Sequence, residues 1–299
     1  MLAVTILGNN SALPAFDRHP TSQVVTLNDH LFLVDCGEGT QMQIAKYRIK
    51  RSRIHDIFIS HLHGDHYFGL MGLITSMGLL GRVRDLNIFA PAPLKEIIEL
   101  QLKAGSTILP FALCYHVLEE GVMIQEEKFE VSCFKVFHRI DCWGFIFREK
   151  KPPRKLDGDK IKQYNIPISF YEQLRWGQDY VTGTGAVVTN DLVTEPSPKG
   201  KSYAYAADTL YEESIACKVK GVDLLYHETT YLDELRDRAA KRFHCTTVQA
   251  AHIAKIAGVH RLLIGHFSSK YEKLEEFEIE TRTIFPNTDL ALEGVSYMI

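Results

Sequence analysis

The pattern of hydrophobic and polar positions predicts a series of short strands, many of which end at an acidic or imidazole side chain. Each run is short and rich in aliphatic or aromatic residues, which is typical of strands in the interior of a sheet. The runs cover residues 31–34, 57–59, 131–137, 203–207, 222–226 and 262–265, and they are followed by Asp35, the 60–66 segment, His138, Asp208, His227 with Glu228, and His266.

Segments with helical spacing alternate with these strands. Residues 93–103 place apolar side chains on one face, residues 41–50 have helical composition, and residues 246–257 are rich in alanine. Residues 23–27 and 31–34 flank a turn and predict a hairpin. Alternating strands and helices indicate an α/β fold, in which the polar residues that end the strands converge along one edge of the sheets.

The segment 57–71, IFISHLHGDHYFGLM, contains the densest group of candidate metal ligands. His61, His63, Asp65 and His66 lie within six residues, after a strand and before a helix. Imidazole and carboxylate groups together suit zinc, and a tight turn that contains glycine can direct closely spaced side chains at one point. The pattern predicts a metal site, whose remaining ligands must come from elsewhere in the chain.

Downstream residues supply enough candidate ligands for two metal ions. Seven side chains are too many for one tetrahedral zinc, but they suit two ions that share Asp208 as a bridge. A pair of ions favours phosphodiester hydrolysis and leaves ester or lactone hydrolysis open. For Asp35, the preferred role is that of a hydrogen-bonding partner of the histidine segment. The seven candidates are His61, His63, Asp65, His66, His138, Asp208 and His266.

Composition and charge narrow the class of protein. The chain has 299 residues, of which 45% are hydrophobic and 24% charged, so it is long enough to bury a large core and disorder is excluded. The net charge of -3 does not mark a nucleic-acid binder by itself. Six cysteines without CxxC spacing, no recognisable signal sequence and no apolar run of membrane-spanning length predict a cytoplasmic protein without a membrane partner.

Residues 148–162 form a charged run, REKKPPRKLDGDKIK, with seven basic and three acidic side chains. The double proline and the lack of apolar residues indicate a protruding arm. A solvated loop and a phosphate-binding segment are equally compatible with this run. The aromatic residues that follow, Tyr164, Phe170, Tyr171 and Trp176, are expected either to pack within the arm or to stack on bases.

Five motifs in order resemble one family over essentially the whole chain. The motifs are LVDCGEGTQ at 33–41, SHLHGDH at 60–66, HETTY at 227–231, HCTTVQAA at 244–251 and IGHFSSKY at 264–271. The set resembles the metallo-β-lactamase superfamily and, more narrowly, the short form of ribonuclease Z, the tRNA 3'-processing endonuclease. The resemblance implies an αββα sandwich as a single domain over 1–299, with a flexible tRNA-binding arm inserted at 149–176.

The resemblance also implies a chemical role for individual residues. One zinc would be held by His61, His63, His138 and Asp208, and a second by Asp65, His66, Asp208 and His266, which gives two Zn2+ per subunit with Mn2+ as a possible substitute. Asp65 would help to activate water, and the pair Glu228 and His244 would assist departure of the 3' oxygen. Precursor tRNA would be the substrate of a homodimer, and the expected tRNA contacts are Lys150, Lys151, Arg154, Lys155, Lys199 and Lys201.

Some positions depart from the family pattern. The tip of the arm has the sequence NIPIS at 165–169 instead of a run rich in glycine and proline, and lysine stands at 201 and 270 where arginine is typical. Because lysine lacks the bidentate hydrogen-bonding geometry of arginine, phosphate binding at these two lysines is expected to differ from that of the family. Ala207 replaces a typical glycine and leaves the neighbouring ligand position intact.

Two other functions are compatible with parts of this sequence pattern. A small-molecule hydrolase of the same superfamily, such as a phosphodiesterase, arylsulfatase or lactonase, would use the same metal centre without the arm. An RNA-binding module with a structural metal is disfavoured, because structural zinc sites do not leave open coordination positions or a spare pair such as Glu228 and His244.

Overall fold

The computed structural model describes residues 1–299, which divide into two compact units. The first unit comprises Met1–Gln125, Phe129–Arg148 and Lys201–Ile299, and the second comprises Glu126–Lys128 and Glu149–Gly200. The longer segment of the second unit therefore begins where the arm 149–176 was expected to begin, and it extends to Gly200.

Twenty strands and eleven α-helices make up the chain. In chain order the strands are β1 Leu2–Gly8, β2 Asn10–Ser11, β3 Ser22–Leu27, β4 His30–Cys36, β5 Ile54–Phe58, β6 Leu86–Ala90, β7 Leu113–Val117, β8 Gly121–Gln125, β9 Phe129–Val136, β10 Cys142–Glu149, β11 Lys155–Leu156, β12 Tyr180–Val181, β13 Val187–Val188, β14 Thr194–Glu195, β15 Ser202–Ala206, β16 Leu224–Glu228, β17 Arg261–Gly265, β18 Phe267–Ser268, β19 Thr288–Leu290 and β20 Ser296–Met298. The α-helices are α1 Thr40–Lys46, α2 Gly64–Tyr67, α3 Leu70–Leu79, α4 Pro93–Ala104, α5 Gly158–Gln163, α6 Tyr171–Arg175, α7 Asn190–Val193, α8 Ser214–Lys218, α9 Arg236–Arg242, α10 Thr247–Ala257 and α11 Glu275–Arg282. Short 3-10 turns lie at Arg51–Arg53, Ile168–Phe170 and Asp233–Leu235. None of the helices combines the length and the apolar character needed to cross a membrane.

Two seven-stranded sheets form the centre of the first unit. Their strand orders are β20-β1-β3-β4-β5-β6-β7 and β19-β17-β16-β15-β10-β9-β8. One buried cluster contains residues of both sheets, including Phe32 and Phe58 from the first and Phe145 and Tyr205 from the second. The outer faces pack against α1, α3 and α4 on one side and against α8, α10 and α11 on the other. This layering of helix, sheet, sheet and helix confirms the predicted αββα sandwich.

Most of the predicted elements are present with small changes at their ends. The predicted hairpin is the pair β3 and β4, and the predicted helix 93–103 is α4. The helix expected over 41–50 ends at Lys46, because Arg48 has a left-handed backbone with φ of 55° and the chain then forms a 3-10 turn. Strands β7 and β8 were not predicted; their side chains are exposed or only partly buried, so neither strand has a long buried apolar run.

Parallel strands bring the predicted polar residues to one edge of each sheet. In the first sheet β4, β5, β6 and β7 are parallel, and in the second β15, β16, β17 and β19 are parallel. Asp35 lies in the last part of β4, and Glu228 ends β16. His266 follows β17 directly, and Asp208 follows β15 after one residue. The candidate ligands therefore lie at the carboxyl ends of these strands.

The second unit has a small core of its own. Three short helices and two two-stranded sheets surround this core, with β11 paired to β14 and β12 paired to β13. The buried side chains are Ile161, Ile166, Leu174, Val188 and Val193. The segment after the charged run therefore contributes packed residues as well as exposed ones.

Candidate metal centre

The 60–66 segment turns sharply against the loop that follows β4. A Cβ atom at Gly37 would lie 2.4 Å from the backbone oxygen of Asp65, so only glycine fits between the two loops. Gly69 N donates a hydrogen bond to Cys36 O over 2.9 Å and fixes the same contact from the start of α3. These close approaches hold the histidine turn at the edge of the sheet.

The first group of candidate ligands comprises His61, His63, His138 and Asp208, whose ligand atoms all lie within 4.8 Å of one another. His63 Nδ1 is 2.9 Å from His61 Nε2 and 3.1 Å from His138 Nε2. Asp208 Oδ2 is 3.7 Å from His61 Nε2. The structure thus brings together the four residues that the resemblance assigned to one zinc.

The second group comprises Asp65, His66, Asp208 and His266, again with all ligand atoms within 4.8 Å. Asp208 Oδ1 is 3.1 Å from His266 Nε2 and 3.5 Å from His66 Nε2. Asp65 Oδ2 is 3.5 Å from His266 Nε2 and 3.7 Å from His66 Nε2. Asp208 belongs to both groups and presents one carboxylate oxygen to each.

The donor chemistry of these groups fits metal ions. His66 Nε2, His266 Nε2 and Asp208 Oδ1 are buried and make no hydrogen bond, although unsatisfied buried polar atoms are costly and rare in proteins. Each group presents three imidazoles with one carboxylate, or two of each, in the spacing that zinc sites use. A cation in each group would satisfy these atoms.

Hydrogen bonds behind the candidate ligands fix the orientation of their rings. Asp35 Oδ2 is 2.7 Å from His66 Nδ1, and it also accepts a hydrogen bond of 2.6 Å from Tyr205 Oη. The backbone nitrogen and hydroxyl of Ser60 donate to the two oxygens of Asp35. The structure therefore gives Asp35 the role that was preferred from the sequence, as a partner of the histidine segment. Such contacts determine which ring nitrogen faces a metal.

Two further rings are held in the same way. Thr230 Oγ1 lies 2.9 Å from His266 Nδ1, and Phe243 O lies 2.9 Å from His138 Nδ1. Sequence reasoning did not identify Thr230, Tyr205 or Ser60 as contributors to the site. Only Thr230 and Ser60 had a signal in the sequence, because they lie inside the motifs at 227–231 and 60–66.

Fully buried Glu228 pairs with partly exposed His244 beside the second group. Glu228 Oε1 is 2.9 Å from His244 Nδ1, and its other oxygen accepts hydrogen bonds from the backbone nitrogen and hydroxyl of Thr230. Burial alone lowers the pKa of His244, but the charge of Glu228 and its hydrogen bond outweigh burial and raise that pKa to about 9. The raised pKa favours the protonated form of His244 at neutral pH.

Burial and neighbouring charges also determine the charge states of the other site residues. Burial and the neighbouring His138 lower the pKa of His63 to about 4, and burial and His66 lower the pKa of His61. Burial raises the pKa of Asp208, but the charges of His266 and His66 hold it well below its ordinary value. Burial lowers the pKa of His66, but the charges of Asp208 and Asp35 outweigh it and raise that pKa well above its ordinary value. Because neutral imidazoles and ionised carboxylates are the forms that bind metal, an ion in the second group would displace a proton from His66.

An open cavity of about 280 Å³ gives access to these groups from solvent. Asp65, Asp208 and His244 form part of its wall, and Glu38, Phe68 and Arg139 form its rim. The side chain of Arg139 contacts the ring of His63, with Nε 3.2 Å from His63 Nε2. The sequence analysis did not single out Arg139, which lies next to a predicted ligand.

The basic residues expected to contact tRNA have different environments. Within the second unit, Arg154 forms an ion pair with Asp191, Lys155 pairs with Glu195, and Lys150 Nζ bonds the backbone oxygen of Glu126. Lys151 and Lys199 are exposed, and Lys201 lies in the first unit. Three of the six candidates therefore have protein partners in the second unit.

The aromatic residues of the second unit divide into packed and exposed ones. Phe170 and Tyr180 make an edge-to-face contact with ring centroids 5.1 Å apart, and Tyr164 and Tyr171 pack against the small core. Trp176 is 64% exposed, and its Nε1 donates to Glu172. Trp176 is the aromatic residue of this set that remains available for stacking.

Comparisons with known proteins add sequence and structural relatives. Residues 2–152 match the protein family described as "Anti-Pycsar protein Apyc1". The chain is 43% identical over 293 residues to a protein of Bacteroides fragilis named "Ribonuclease Z", covering 97% of this chain and 96% of the relative. A "Ribonuclease Z" of Cytophaga hutchinsonii is also 43% identical, over 300 residues, with 98% and 95% coverage.

Two solved structures have similar folds. The short form of human tRNase Z superposes with a TM-score of 0.72 and 25% identity over 99% of both chains. A metallo-beta-lactamase fold protein from Bacillus subtilis gives a TM-score of 0.70 with 18% identity, over 99% of this chain and 98% of the other. At that lower identity the second match shows the fold alone.

Proposed function

Because this chain belongs to the ribonuclease Z family, we propose that it acts as a tRNA 3'-processing endoribonuclease, which hydrolyses the phosphodiester bond between a precursor tRNA and its 3' trailer. The enzyme is a phosphodiester hydrolase with a metallo-β-lactamase fold, and it uses metal ions. One observation carries the residue-level proposal: two four-residue donor groups share Asp208 and lie beside the hydrogen-bonded Glu228–His244 pair.

Two zinc ions per chain are the proposed cofactors, with manganese as a substitute. His61, His63, His138 and Asp208 would hold one, and Asp65, His66, Asp208 and His266 the other. The bound ions would supply Lewis-acid polarisation of water and of the phosphate oxygens. The unsatisfied buried atoms of His66, His266 and Asp208 support this assignment.

Asp65 is proposed to orient the attacking water and to accept its proton. Burial raises the pKa of Asp65, but the charge of His66 and the contact with His266 outweigh it, so the pKa is lowered and the carboxylate is ionised at neutral pH. The backbone nitrogen of Ala12 donates to Asp65 Oδ2 over 2.7 Å and fixes that oxygen at the wall of the open cavity. A fixed, ionised carboxylate beside the reacting phosphate is what proton acceptance requires.

His244 is proposed to protonate the leaving 3' oxygen. Water attacks phosphorus, the bond from phosphorus to the 3' oxygen breaks, and the proton of His244 passes to that oxygen, which leaves a 3'-hydroxyl on the tRNA and a 5'-phosphate on the trailer. Glu228 keeps His244 protonated and oriented through the contact of 2.9 Å. An oriented acid stabilises the negative charge that develops on the leaving oxygen.

The second unit is proposed to bind the tRNA. Its exposed side chains include Lys151, Lys199 and Trp176, which offer charge for phosphates and one ring for stacking. Lys150, Arg154 and Lys155 are proposed to contribute through the same surface, although they have protein partners, and Lys201 is proposed as a contact from the first unit. In this proposal residues 149–176 are the exosite arm, and the remaining residues of the second unit support it.

A homodimer in the cytoplasm is the proposed form of the enzyme. The first unit exposes large apolar side chains, among them Met42 and Phe68, each 66% exposed, which a second copy would cover. All six cysteines are free, as is usual in a reducing compartment. Light scattering of wild type and Met42→Glu tests the dimer, since the charged variant is expected to shift the mass toward that of one chain.

Incubation of the purified protein with a 5'-labelled precursor tRNA that carries a 3' trailer tests the proposed reaction. We expect a single cut that leaves a 3'-hydroxyl, abolished by Asp65→Asn and retained by the control Asp29→Asn, which changes an exposed turn residue of the first unit. Metal analysis is expected to give two ions per chain, and a chelator is expected to stop cleavage until zinc or manganese is restored. Absence of cleavage by the metal-loaded wild type would overturn the proposal, and turnover of small phosphodiesters alone would favour a small-molecule hydrolase.

A further inference from the structure

A second cavity, of about 860 Å³, lies between the C-terminal end of α1, the 3-10 turn at Arg51–Arg53 and the segment that follows α3. We call it the basic cavity. Its charged and imidazole side chains are Arg48, Lys50, Arg51, His55, Arg82 and Arg84, and its apolar wall includes Ile44, Met77 and Leu80.

The basic cavity is separate from the metal groups. Strand β5 begins at Ile54, beside the cavity, and ends at Phe58, shortly before His61. A strand of this length spans about 15 Å, since each residue advances the chain by roughly 3.3 Å. The two sites therefore lie at opposite ends of the same strand, and they share no wall residue.

The positive charge of this cavity is only partly balanced by carboxylates. Residues 39–55 contain five lysines and arginines and no acidic residue, although the whole chain is slightly acidic. None of the cavity's lysines and arginines forms an ion pair. Asp56 and Asp85 attract Arg82 from a longer distance, while their carboxylates accept hydrogen bonds from Asn87 Nδ2 and the backbone nitrogen of Ala112.

Two guanidinium groups crowd the ring of His55. Arg82 Nη2 lies 3.3 Å from His55 Nδ1, and Arg84 Nη1 lies 3.1 Å from His55 Nε2. A neutral imidazole has one acceptor nitrogen, so one of these contacts places two donors against each other. An anion in the cavity would provide the missing acceptor.

We propose that the basic cavity is a second ligand site, which binds one nucleotide unit by its phosphate and its base. The guanidinium groups of Arg51 and Arg84 suit the phosphate, because arginine donates two parallel hydrogen bonds to phosphate oxygens. The apolar wall at Ile44, Met77 and Leu80 suits the base. A volume of about 860 Å³ is in the usual range of small-ligand pockets. The nucleotide unit is either a free mononucleotide or part of a single-stranded RNA, and the site goes beyond the proposed cleavage reaction.

Binding measurements on the metal-loaded protein test the site with two probes. The probes are 5-bromouridine 5'-monophosphate, followed by calorimetry, and a fluorescein-labelled hexauridylate, followed by anisotropy. Arg51→Gln/Arg84→Gln is compared with Lys220→Gln/Lys255→Gln, which removes the same charge from exposed positions elsewhere in the first unit. Arg82 is left intact, because it also bonds the backbone oxygens of Ile54 and Asp85.

Loss of two charge-assisted contacts is expected to weaken binding by at least ~10-fold, against less than about 2-fold in the control. A loss with the mononucleotide assigns a free nucleotide to the site, and a loss with hexauridylate alone assigns single-stranded RNA. Bromine located in the basic cavity by anomalous diffraction supports the first assignment. Unchanged affinity of the double variant for both probes overturns the proposal, as does bromine bound only at the metal groups. If the double variant fails to fold, Arg48→Gln/Lys50→Gln replaces it with the same expectations.

Discussion

At the scale of single residues, the site depends on carboxylates that hold imidazoles in defined orientations and charge states. Asp35 does this for His66 and Glu228 does it for His244, in each case through one short contact to a ring nitrogen. Removal of either carboxylate leaves every proposed metal ligand in place. These two residues therefore allow orientation and charge to be tested separately from ligation.

The variant Asp35→Asn is expected to lower metal affinity by about 10- to 100-fold, the usual effect of losing a carboxylate behind a histidine ligand. The reason is that an amide side chain offers one acceptor oxygen, whereas the carboxylate of Asp35 serves Ser60, His66 and Tyr205 with two. Competition with a chromogenic zinc chelator measures the change. The matched control Asp29→Asn changes an exposed turn residue and is expected to bind metal normally; an equal loss in both variants would contradict the assigned role.

The protonation of His244 gives a prediction with a defined sign. In the metal-free protein its ring signal is expected to titrate with a pKa near 9, above the ordinary value of 6.5. The raised pKa means that the Glu228–His244 contact contributes fully to stability below about pH 6.5 and loses that contribution as the pH rises through about 9. NMR titration of the histidine ring measures this value. Glu228→Gln is expected to lower the pKa, whereas Glu276→Gln, on α11, is expected to leave it unchanged.

At the scale of elements, the strand ends were predictable and the loops between them were not. Asp208, Glu228 and His266 follow apolar runs that are visible in the sequence, so their presence at one edge followed from the rule for parallel strands. The distances among them depend on how close the connecting loops approach. Gly37 sets one such approach through steric fit, which a single sequence does not display.

Gly37→Ala is expected to weaken metal binding and to destabilise the protein by roughly 1–3 kcal/mol, as overpacking does in a well-packed interior. The added Cβ would lie 2.4 Å from Asp65 O, so the turn that carries His63 and Asp65 must shift. Thermal unfolding and zinc titration measure the two effects. Gly183→Ala is the control, because a Cβ there meets no atom within 4 Å. A fully stable Gly37→Ala protein with normal zinc affinity would refute this account.

At the scale of the whole molecule, the sequence predicted the sandwich, which the structure confirms, but neither the extent of the second unit nor the basic cavity. Residues 177–200 contain strands of two residues and a helix of four, which have no periodicity to detect. The basic residues of the cavity come from two stretches, 48–55 and 82–84, which the fold brings together. The cluster of basic residues before β5 was the feature of the sequence that could have indicated this cavity.

The register of β10 and β15 allows the inserted segment to be deleted while the pairing of these two strands is kept. Arg148 pairs directly with Ser202 across these antiparallel strands, so an Asn-Gly turn can replace residues 149–201. The shortened protein is expected to retain two metal ions and turnover of bis(p-nitrophenyl) phosphate, and to lose measurable affinity for precursor tRNA. Retained tRNA affinity would show that the second unit and Lys201 are dispensable for recognition.

The position of Asp208 in both donor groups has a thermodynamic consequence. Since one carboxylate serves both groups, occupancy of either changes the orientation and charge that the other encounters. The two metal-binding equilibria are therefore linked, and linkage is reciprocal: each ion alters the affinity for the other by the same factor. Zinc titrations of this protein are therefore expected to follow a two-site isotherm with a coupling factor between the two sites. His138→Ala removes a proposed ligand from one group, and in that variant the coupling factor is expected to fall toward one.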